Sequence, residues 1–292
     1  MNEIITKAEI LTEALPYIRN FFGKTFVIKY GGAAQAEENL KESFARDVVL
    51  LNFIGIRTAI VHGGGPKISV TMEKMGKKPQ FVHGQRVTDK ETMDIVEMVL
   101  GGLINKEIVS LINSHGGRAV GLSGKDGGLI RARKKLIRKS SETGSDEMID
   151  IGLVGEVTRI EPQVIRSLEK DGFIPVISPV GVGAKGETLN INADYVAAAL
   201  ASALHAEKMI LLTDVPGIID KHKRTVSTLR SGQVRKLIRD GTVTGGMLPK
   251  VQACLGAVEG GVAKTHIIDG RVPHCLLLEI FTKEGIGTEI QA

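Results

Sequence analysis

Tryptophan is absent from this 292-residue chain, which holds three tyrosines and eight phenylalanines. A surface that stacks single-stranded bases needs aromatic side chains. The densest basic run, Arg131 to Lys139, contains none. It reads as the solvated strand of a hairpin, with an anion or nucleic-acid patch as the alternative. Cysteine is almost as scarce. Cys254 and Cys275 are the two present, with no CxxC spacing, which argues against a zinc site or a disulfide framework and for a reducing compartment. No N-x-S/T sequon occurs. The longest low-polarity stretch, Tyr195 to Leu204, is about half of what a membrane-spanning helix needs. Glu3, Glu9 and Glu13 interrupt the N-terminal apolar residues, so neither a signal peptide nor a mitochondrial presequence is expected, and the cytoplasm is. The net charge of +5 is mild and suits anionic small substrates.

Several catalytic signatures are missing too. There is no G-x-x-x-x-G-K-[ST] P-loop, no G-x-S-x-G elbow, and no H-R-D or D-F-G kinase motif. His62-Gly-Gly-Gly65 imitates an esterase oxyanion loop but lacks the serine elbow that goes with it. Gly181-Val-Gly-Ala-Lys-Gly186 fits the dinucleotide fingerprint, yet the following Glu187-Thr-Leu-Asn-Ile-Asn alternates like a strand. The fingerprint requires a helix there.

Glycine, by contrast, is abundant: 35 residues, clustered between apolar runs, as in loops that press backbone against a ligand. The length suits two domains or one large α/β domain. Ile4, Ala8, Leu11, Leu15, Ile18 and Phe22 recur at helical spacing, and Pro16 should kink that helix. Its partner is either the same core or a neighbouring subunit. Thr25–Lys29 and Arg57–Val61 read as buried strands, each followed by glycines and a helix (36–52, and up to Met75). A long helix is expected over 89–114, with Gly101-Gly102 inside it as a packing point or a break. Residues 118–160 alternate in short runs with two polar turns and read as hairpins. Pro175–Ser178, Met209–Leu212 and Lys264–Ile268 are further buried strands, with helices over 194–204 and after Gly246. The alternation predicts a mainly parallel sheet covered on both faces.

Two glycine loops therefore end strands and open helices, where backbone N–H groups bind anionic oxygens. Lys29 stands at the carboxyl end of the first strand, where open α/β sheets bind ligands. Asn190 and Asn192 share one face of an extended segment. Asp194 then begins a helix, as a cap or as a functional carboxylate. Thr213-Asp-Val-Pro-Gly217 reads as a turn able to line an adenine or ribose pocket. Gly245-Gly-Met-Leu-Pro-Lys250 adds a second lysine one turn into a helix, an arrangement suited to a polyphosphate.

These blocks, in this order, resemble the amino acid kinase superfamily and within it the N-acetylglutamate kinase family. The resemblance rests on Lys29-Tyr-Gly-Gly32, His62-Gly-Gly-Gly-Pro66, Phe81-Val-His-Gly-Gln-Arg-Val-Thr-Asp89, Leu189-Asn-Ile-Asn-Ala-Asp194, Thr213-Asp-Val-Pro-Gly217 and Gly245-Gly-Met-Leu-Pro-Lys250. The block containing Arg86 is the most specific. The resemblance implies a three-layer α/β sandwich with a kinked N-terminal helix (1–22), a substrate lobe (23–180) with a β-hairpin excursion, and an ATP lobe (181–292). It implies ATP-dependent phosphorylation of the γ-carboxylate of N-acetyl-L-glutamate, with Mg²⁺ carried by the nucleotide and no dedicated protein metal site. Lys29, Lys250 and Asp194 would be catalytic. Gly63, Gly64, Gly65, Arg86, Asn190 and Asn192 would bind substrate. Gly31, Gly32, Thr213, Asp214, Gly217, Gly245, Gly246 and Met247 would bind ATP. Family members with an N-terminal helix of this kind are arginine-inhibited hexamers, which implies an L-arginine site at Tyr17, His266, Glu279 and Gly287. Some members bind a PII-type signalling protein, and no residue here decides that. No nucleic acid or membrane is implied. A kinase for acetylaminoadipate, or a non-catalytic arginine or nitrogen sensor, are the alternative readings.

Overall fold

The computed structural model of the chain describes residues 9, 12–139 and 147–292. Eight strands form its main sheet. They are β1 (Thr25–Tyr30), β2 (Arg57–His62), β5 (Ala119–Ser123), β8 (Ile174–Ser178), β11 (Lys208–Thr213), β12 (Thr228–Arg230), β13 (Lys264–Asp269) and β14 (Thr288–Gln291). Their spatial order is β12-β14-β13-β11-β1-β2-β8-β5. β14 runs antiparallel to β13; the other neighbours pair parallel.

All six residues of β1 are buried, as expected of a central strand covered on both faces. Because strand side chains alternate, Val27 points into one core with Val61 and Leu211. Phe26 and Ile28 point into the other, with Ile60 and Ile210. Helices Ala193–Leu204 and Met247–Glu259 cover the first face; helices Glu38–Phe53 and Cys275–Phe281 cover the second. The expected three-layer sandwich is what the chain forms. From β1 the chain steps to β2 on one side and later returns to β11 on the other. β1 is thus a topological switch point, where ligands gather at the carboxyl ends of strands.

Residues 118–160 need one correction. Ala119–Ser123 is not part of a hairpin but the edge of the main sheet, parallel to β8. The helix before it and the helix Gln163–Lys170 after the excursion make it a βαβ strand. β6 (Ile130–Lys139) and β7 (Glu147–Ile160) do form the hairpin; its turn, 140–146, lies outside the described residues. β9 (Val180–Val182) and β10 (Thr188–Ile191) join them in a closed four-stranded barrel. Of the fingerprint-like glycines, Gly181 lies in β9 opposite Leu189, and Gly183 and Gly186 lie in the turn of that antiparallel pair, so no helix opens there as a dinucleotide loop requires. The basic run is the solvated strand β6, with Lys134 paired to Asp150 at 2.7 Å.

The helix expected over 89–114 is continuous but not uniform. Lys90–Glu97 and Asn105–Ser114 are α-helical, and Met98–Ile104 between them is a π-helix. A methyl group on Gly101 or Gly102 would meet open space. The pair therefore marks a widened turn, not a packing point or a break. At the N-terminus a turn at Ala14 precedes the helix Leu15–Phe21, with Pro16 in its first turn, which is the expected kink. Phe21 packs edge-on against Phe26 with centroids 5.2 Å apart, and Tyr17 against Phe281 at 6.3 Å. Both contacts are made within the chain. Ile4, Ala8 and Leu11 lie outside the described residues.

Candidate active site

β1 carries Lys29 to the switch point, and burial leaves its side chain 10% exposed. Two helices bring the complementary groups. Asn192 caps the helix Ala193–Leu204, its Oδ1 accepting the Asp194 N–H at 2.8 Å. Asn192, not Asp194, is therefore the cap, and the Asp194 carboxylate is free for other partners. Lys29 Nζ lies 3.1 Å from Asp194 Oδ1, and Lys250 Nζ lies 3.0 Å from Oδ2. Lys250 reaches it from the first turn of Met247–Glu259. Burial pushes the Asp194 carboxyl up, but the two ammonium groups outweigh burial and hold its pKa below the ordinary value. Burial lowers the Lys29 pKa; Asp194 opposes this and the charge of Lys250 adds to it. With both lysines charged, two cations share one anion, which leaves positive charge for an incoming anion.

β2 ends at His62, and Gly63-Gly64 lead into the helix Gly65–Lys74, whose first-turn N–H groups have no acceptor within the helix. A side chain would not fit at Gly64, whereas Gly63 and Gly65 have room for one. A methyl group on Gly64 would run into Ile104 and Leu100, and one on Gly31 would stand 3.2 Å from Lys29 Nζ. Arg86, on the two-stranded hairpin β3 (Phe81–Val82) and β4 (Gln85–Arg86), is buried. Its guanidinium lies 4.7 Å from the Phe81 ring centroid. Nη2 donates to Gly65 O at 2.9 Å and to Ser69 Oγ at 2.8 Å. Both Nη2 hydrogens are thus spent within the protein, and a two-pronged grip on a carboxylate requires exchanging one of them. Asn190 Nδ2 donates to Thr88 Oγ1 at 3.4 Å.

Lys29, Gly32, the loop 63–65, Arg86, Asn190, Asn192, Asp194 and Lys250 all line one cavity of about 300 Å³. A small dicarboxylate, not a whole nucleotide, suits that volume. Thr213, Asp214, Gly217, Gly245, Gly246 and Met247 do not line it. Thr213 ends β11, the neighbour of β1, and Asp214 is close enough to Lys29 to act on its charge. Gly31 sits between Lys29 and the backbone of Gly63.

Of the remaining sequence candidates, His266, Glu279 and Gly287 meet elsewhere, and Tyr17 packs on Phe281, in the same helix as Glu279. His266 Nδ1 is 2.6 Å from Glu279 Oε1. Glu279 Oε2 accepts the N–H groups of Ile286 (2.7 Å) and Gly287 (3.1 Å). Sequence reading missed Lys208 here: its Nζ lies 3.0 Å from His266 Nε2 and 5.3 Å from the Phe21 ring centroid. A lysine opening an apolar strand looks like a surface residue, and only the tertiary fold shows it 7% exposed. Also missed were His62, whose place at the end of a buried, mainly apolar strand was the available signal, and Asn105 and Thr88, which gave none.

A compact α/β sandwich with two lysines, a carboxylate and an anion-ready glycine loop at one switch point defines a phosphoryl-transfer type of site. Residues 24–269 match the amino acid kinase family, and the chain belongs to that family. Among curated relatives, the acetylglutamate kinase of Geotalea daltonii is 59% identical over 292 residues, covering all of both chains. That of Geobacter sp. (strain M21) is 58% identical over the same span. Among solved structures, N-acetylglutamate synthase from Neisseria gonorrhoeae, complexed with coenzyme A and N-acetyl-glutamate, has a TM-score of 0.83 at 26% identity. The match covers 98% of this chain and 63% of the synthase chain, so this chain spans less than two thirds of that protein. Carbamate kinase from Giardia lamblia, bound to AMP-PNP, shares the fold with a TM-score of 0.66 at 16% identity, over 92% of this chain and 98% of that one.

Proposed function

We propose that the chain transfers the γ-phosphoryl group of ATP to the γ-carboxylate of N-acetyl-L-glutamate, a step of arginine biosynthesis. The observation that carries this reading is the Lys29–Asp194–Lys250 cluster on the wall of a cavity that also holds the glycine loop and Arg86. The full-length identity to acetylglutamate kinases agrees with it.

The nucleophile is a carboxylate already ionised at neutral pH, so no general base is required. The obstacle is repulsion between that carboxylate and the phosphates. Overcoming it takes alignment plus neutralisation of spreading charge. Lys29 and Lys250 flank the transferring group, and Asp194 keeps the two ammonium groups apart and aimed. The N–H groups of Gly64 and Gly65 receive anionic oxygens, while Gly63, whose own N–H donates to Tyr30 O at 2.8 Å, ties the loop to β1 beside the substrate. Arg86 partners the α-carboxylate, and Asn190 and Asn192 contact the rest of the substrate. ATP lies toward Gly31 and Gly32 after β1 and toward Thr213, Asp214, Gly217 and Gly245–Met247 in the lobe after residue 180. Mg²⁺ fits here on the nucleotide phosphates, where it neutralises charge, because the carboxylate in the cavity is already engaged by two lysines.

L-Arginine is the proposed inhibitor, bound near Tyr17, His266, Glu279 and Gly287. The N-terminal helix (1–22) would join dimers into a hexamer, and a PII-type protein is a further candidate partner of such a ring. The N-acetylglutamate synthase with the same fold was also solved with coenzyme A and L-arginine, at 25% identity and a TM-score of 0.79. Deleting residues 1–22 tests this part: a chain that stays hexameric and arginine-sensitive contradicts it. No described helix is long and apolar enough to cross a membrane, and the proposed setting is the cytoplasm.

The activity is tested by trapping the acyl phosphate with hydroxylamine. N-acetylglutamate is compared with glutamate, aspartate, carbamate and N-acetylaminoadipate, each with and without arginine. Product from N-acetylglutamate alone is expected. Preference for N-acetylaminoadipate would move the substrate by one methylene, and no product from any of them would favour a sensor.

A further inference from the structure

His62 and Asn105 form a buried polar pair behind the glycine loop, outside the cavity and without a part in the reaction described above. His62 is 0% exposed and Asn105 is 1% exposed. Asn105 is the first α-helical residue after the π-helix Met98–Ile104, and such wide turns recur at functional sites. Its Nδ2 lies 2.9 Å from Val176 O and 3.4 Å from Leu122 O. Two carbonyls around one atom identify that atom as the amide nitrogen. Its other contact is His62 Nε2, at 3.2 Å, which must therefore accept. A neutral imidazole that accepts at Nε2 carries its proton on Nδ1. Nδ1 lies 3.0 Å from the carbonyl oxygen of Gly63 and donates to it.

That hydrogen bond acts on the loop itself. No described peptide is cis, and in a trans peptide the C=O and the following N–H point in opposite directions. Anchoring Gly63 O on the ring turns the Gly64 N–H away from it. Ile104 and Leu100 of the π-helix lie where a side chain on Gly64 would stand, so the loop packs directly against that helix. The charged group facing the pair is Lys106, with Nζ 3.2 Å from Asn105 Oδ1 and 3.3 Å from Gly121 O. Its charge opposes a second proton on the ring.

We propose that His62 and Asn105 are positioning residues that fix the Gly63–Gly64 peptide so that the Gly64 N–H meets the transferring phosphoryl group. The proposal rests on the kinase reading above. On it, the π-helix serves to place Leu100, Ile104 and Asn105 together against the back of the loop.

Steady-state kinetics with N-acetylglutamate and MgATP test it, alongside thermal unfolding of each variant. His62→Leu removes both ring contacts at similar size. We expect kcat to fall about tenfold or more, as for a misplaced oxyanion donor, with both KM values within about twofold. His62→Asn keeps a donor near the Nδ1 position and should recover most of the loss. Asn105→Asp is the sharper variant. A carboxylate there accepts from Nε2–H, so the neutral ring presents a bare Nδ1 to Gly63 O, and only the doubly protonated ring restores the donor. Its kcat should rise as pH falls through the His62 pKa, while wild-type kcat stays level over the same range. Folded His62→Leu with wild-type kcat overturns the proposal, as does an Asn105→Asp profile parallel to wild type. Wild type that makes no acyl phosphate overturns the kinase reading, and this proposal with it.

Discussion

Two buried clusters of this molecule have nearly the same parts and opposite electrostatic outcomes. Lys29, Lys250 and Asp194 meet at the carboxyl end of β1; Lys208 at the start of β11, His266 of β13 and Glu279 of the helix Cys275–Phe281 meet on the far side. In the first, the carboxylate is held by two lysines and, among the described residues, by no peptide donor. Two cations in contact with one anion leave a local surplus, which the more distant Asp214 offsets only in part, and the cavity beside them is open to an anion. In the second, the carboxylate is saturated. Burial raises the Glu279 pKa, but His266 and the N–H groups of Ile286 and Gly287 bring it below the ordinary value. Burial lowers the His266 pKa despite the bond to Glu279, so the ring is neutral, and the charges of Lys208 and Lys264 balance those of Glu279 and Glu289, which lies 3.9 Å from His266 Nε2 and 2.9 Å from Lys264 Nζ. A cluster with a surplus can bind and stabilise new charge. A balanced cluster holds elements together and yields only to a ligand that replaces its bonds.

The largest effects should come from breaking the surplus. Lys29→Met and Lys250→Met are each expected to lower kcat by about 10²–10³, the scale of losing one donor to developing charge. Lys208→Met should leave uninhibited turnover within about threefold, since its influence lies in the balanced cluster. Comparable losses in all three variants, by steady-state kinetics, would erase the distinction between the clusters.

Arg86→Lys comes next. It should raise KM for N-acetylglutamate about tenfold and leave KM for ATP nearly unchanged, because lysine cannot replace a forked guanidinium contact. Since Nη2 also ties Gly65 and Ser69, Tm should fall as well. An unchanged N-acetylglutamate KM contradicts the assignment of Arg86 to the α-carboxylate.

The smallest effect is on stability against pH, and it sharpens the contrast through a third buried carboxylate. Asp47, 1% exposed, pairs with His274, whose Nδ1 lies 2.6 Å from Oδ1. Burial pushes its pKa up to about 6. A raised carboxylate binds its proton more tightly in the folded state, so its stabilising effect is present near pH 4 and is lost as pH rises to about 6. The size is roughly 3 kcal/mol at most, at 1.36 kcal/mol per pKa unit. Asp194, held low by its lysines, acts oppositely: its contribution is present above the ordinary carboxylate pKa and is lost as pH falls through its lowered value. Denaturant midpoints of Asp47→Asn should vary less than those of wild type between about pH 4 and about pH 6, from the ordinary carboxylate value to the raised one. An identical pH profile contradicts this account of Asp47.

Much of this was legible in the sequence, for a local reason. Strand, glycine loop and helix follow one another directly in Lys29-Tyr-Gly-Gly32 and His62-Gly-Gly-Gly65. The Asn190–Asp194 block leads into its own helix. The line of text therefore already holds the geometry. Hidden features depend on distant partners. The four-stranded barrel closes by pairing β6 with β9, and β5 leaves the hairpin region because β8, far along the chain, offers it an edge. Lys208 reads as a surface lysine until the N-terminal helix lays Phe21 beside it. His62 and Asn105 are 43 positions apart, and nothing local marks them as a pair.

The most direct test of the central claim is acyl phosphate formation from N-acetylglutamate by wild type, Asp194→Asn and Glu279→Gln, assayed side by side without arginine. The account predicts that Asp194→Asn loses about 10² or more in turnover, while Glu279→Gln, though less stable, turns over within about threefold of wild type. Equal losses in the two variants, or an active Asp194→Asn, would contradict it.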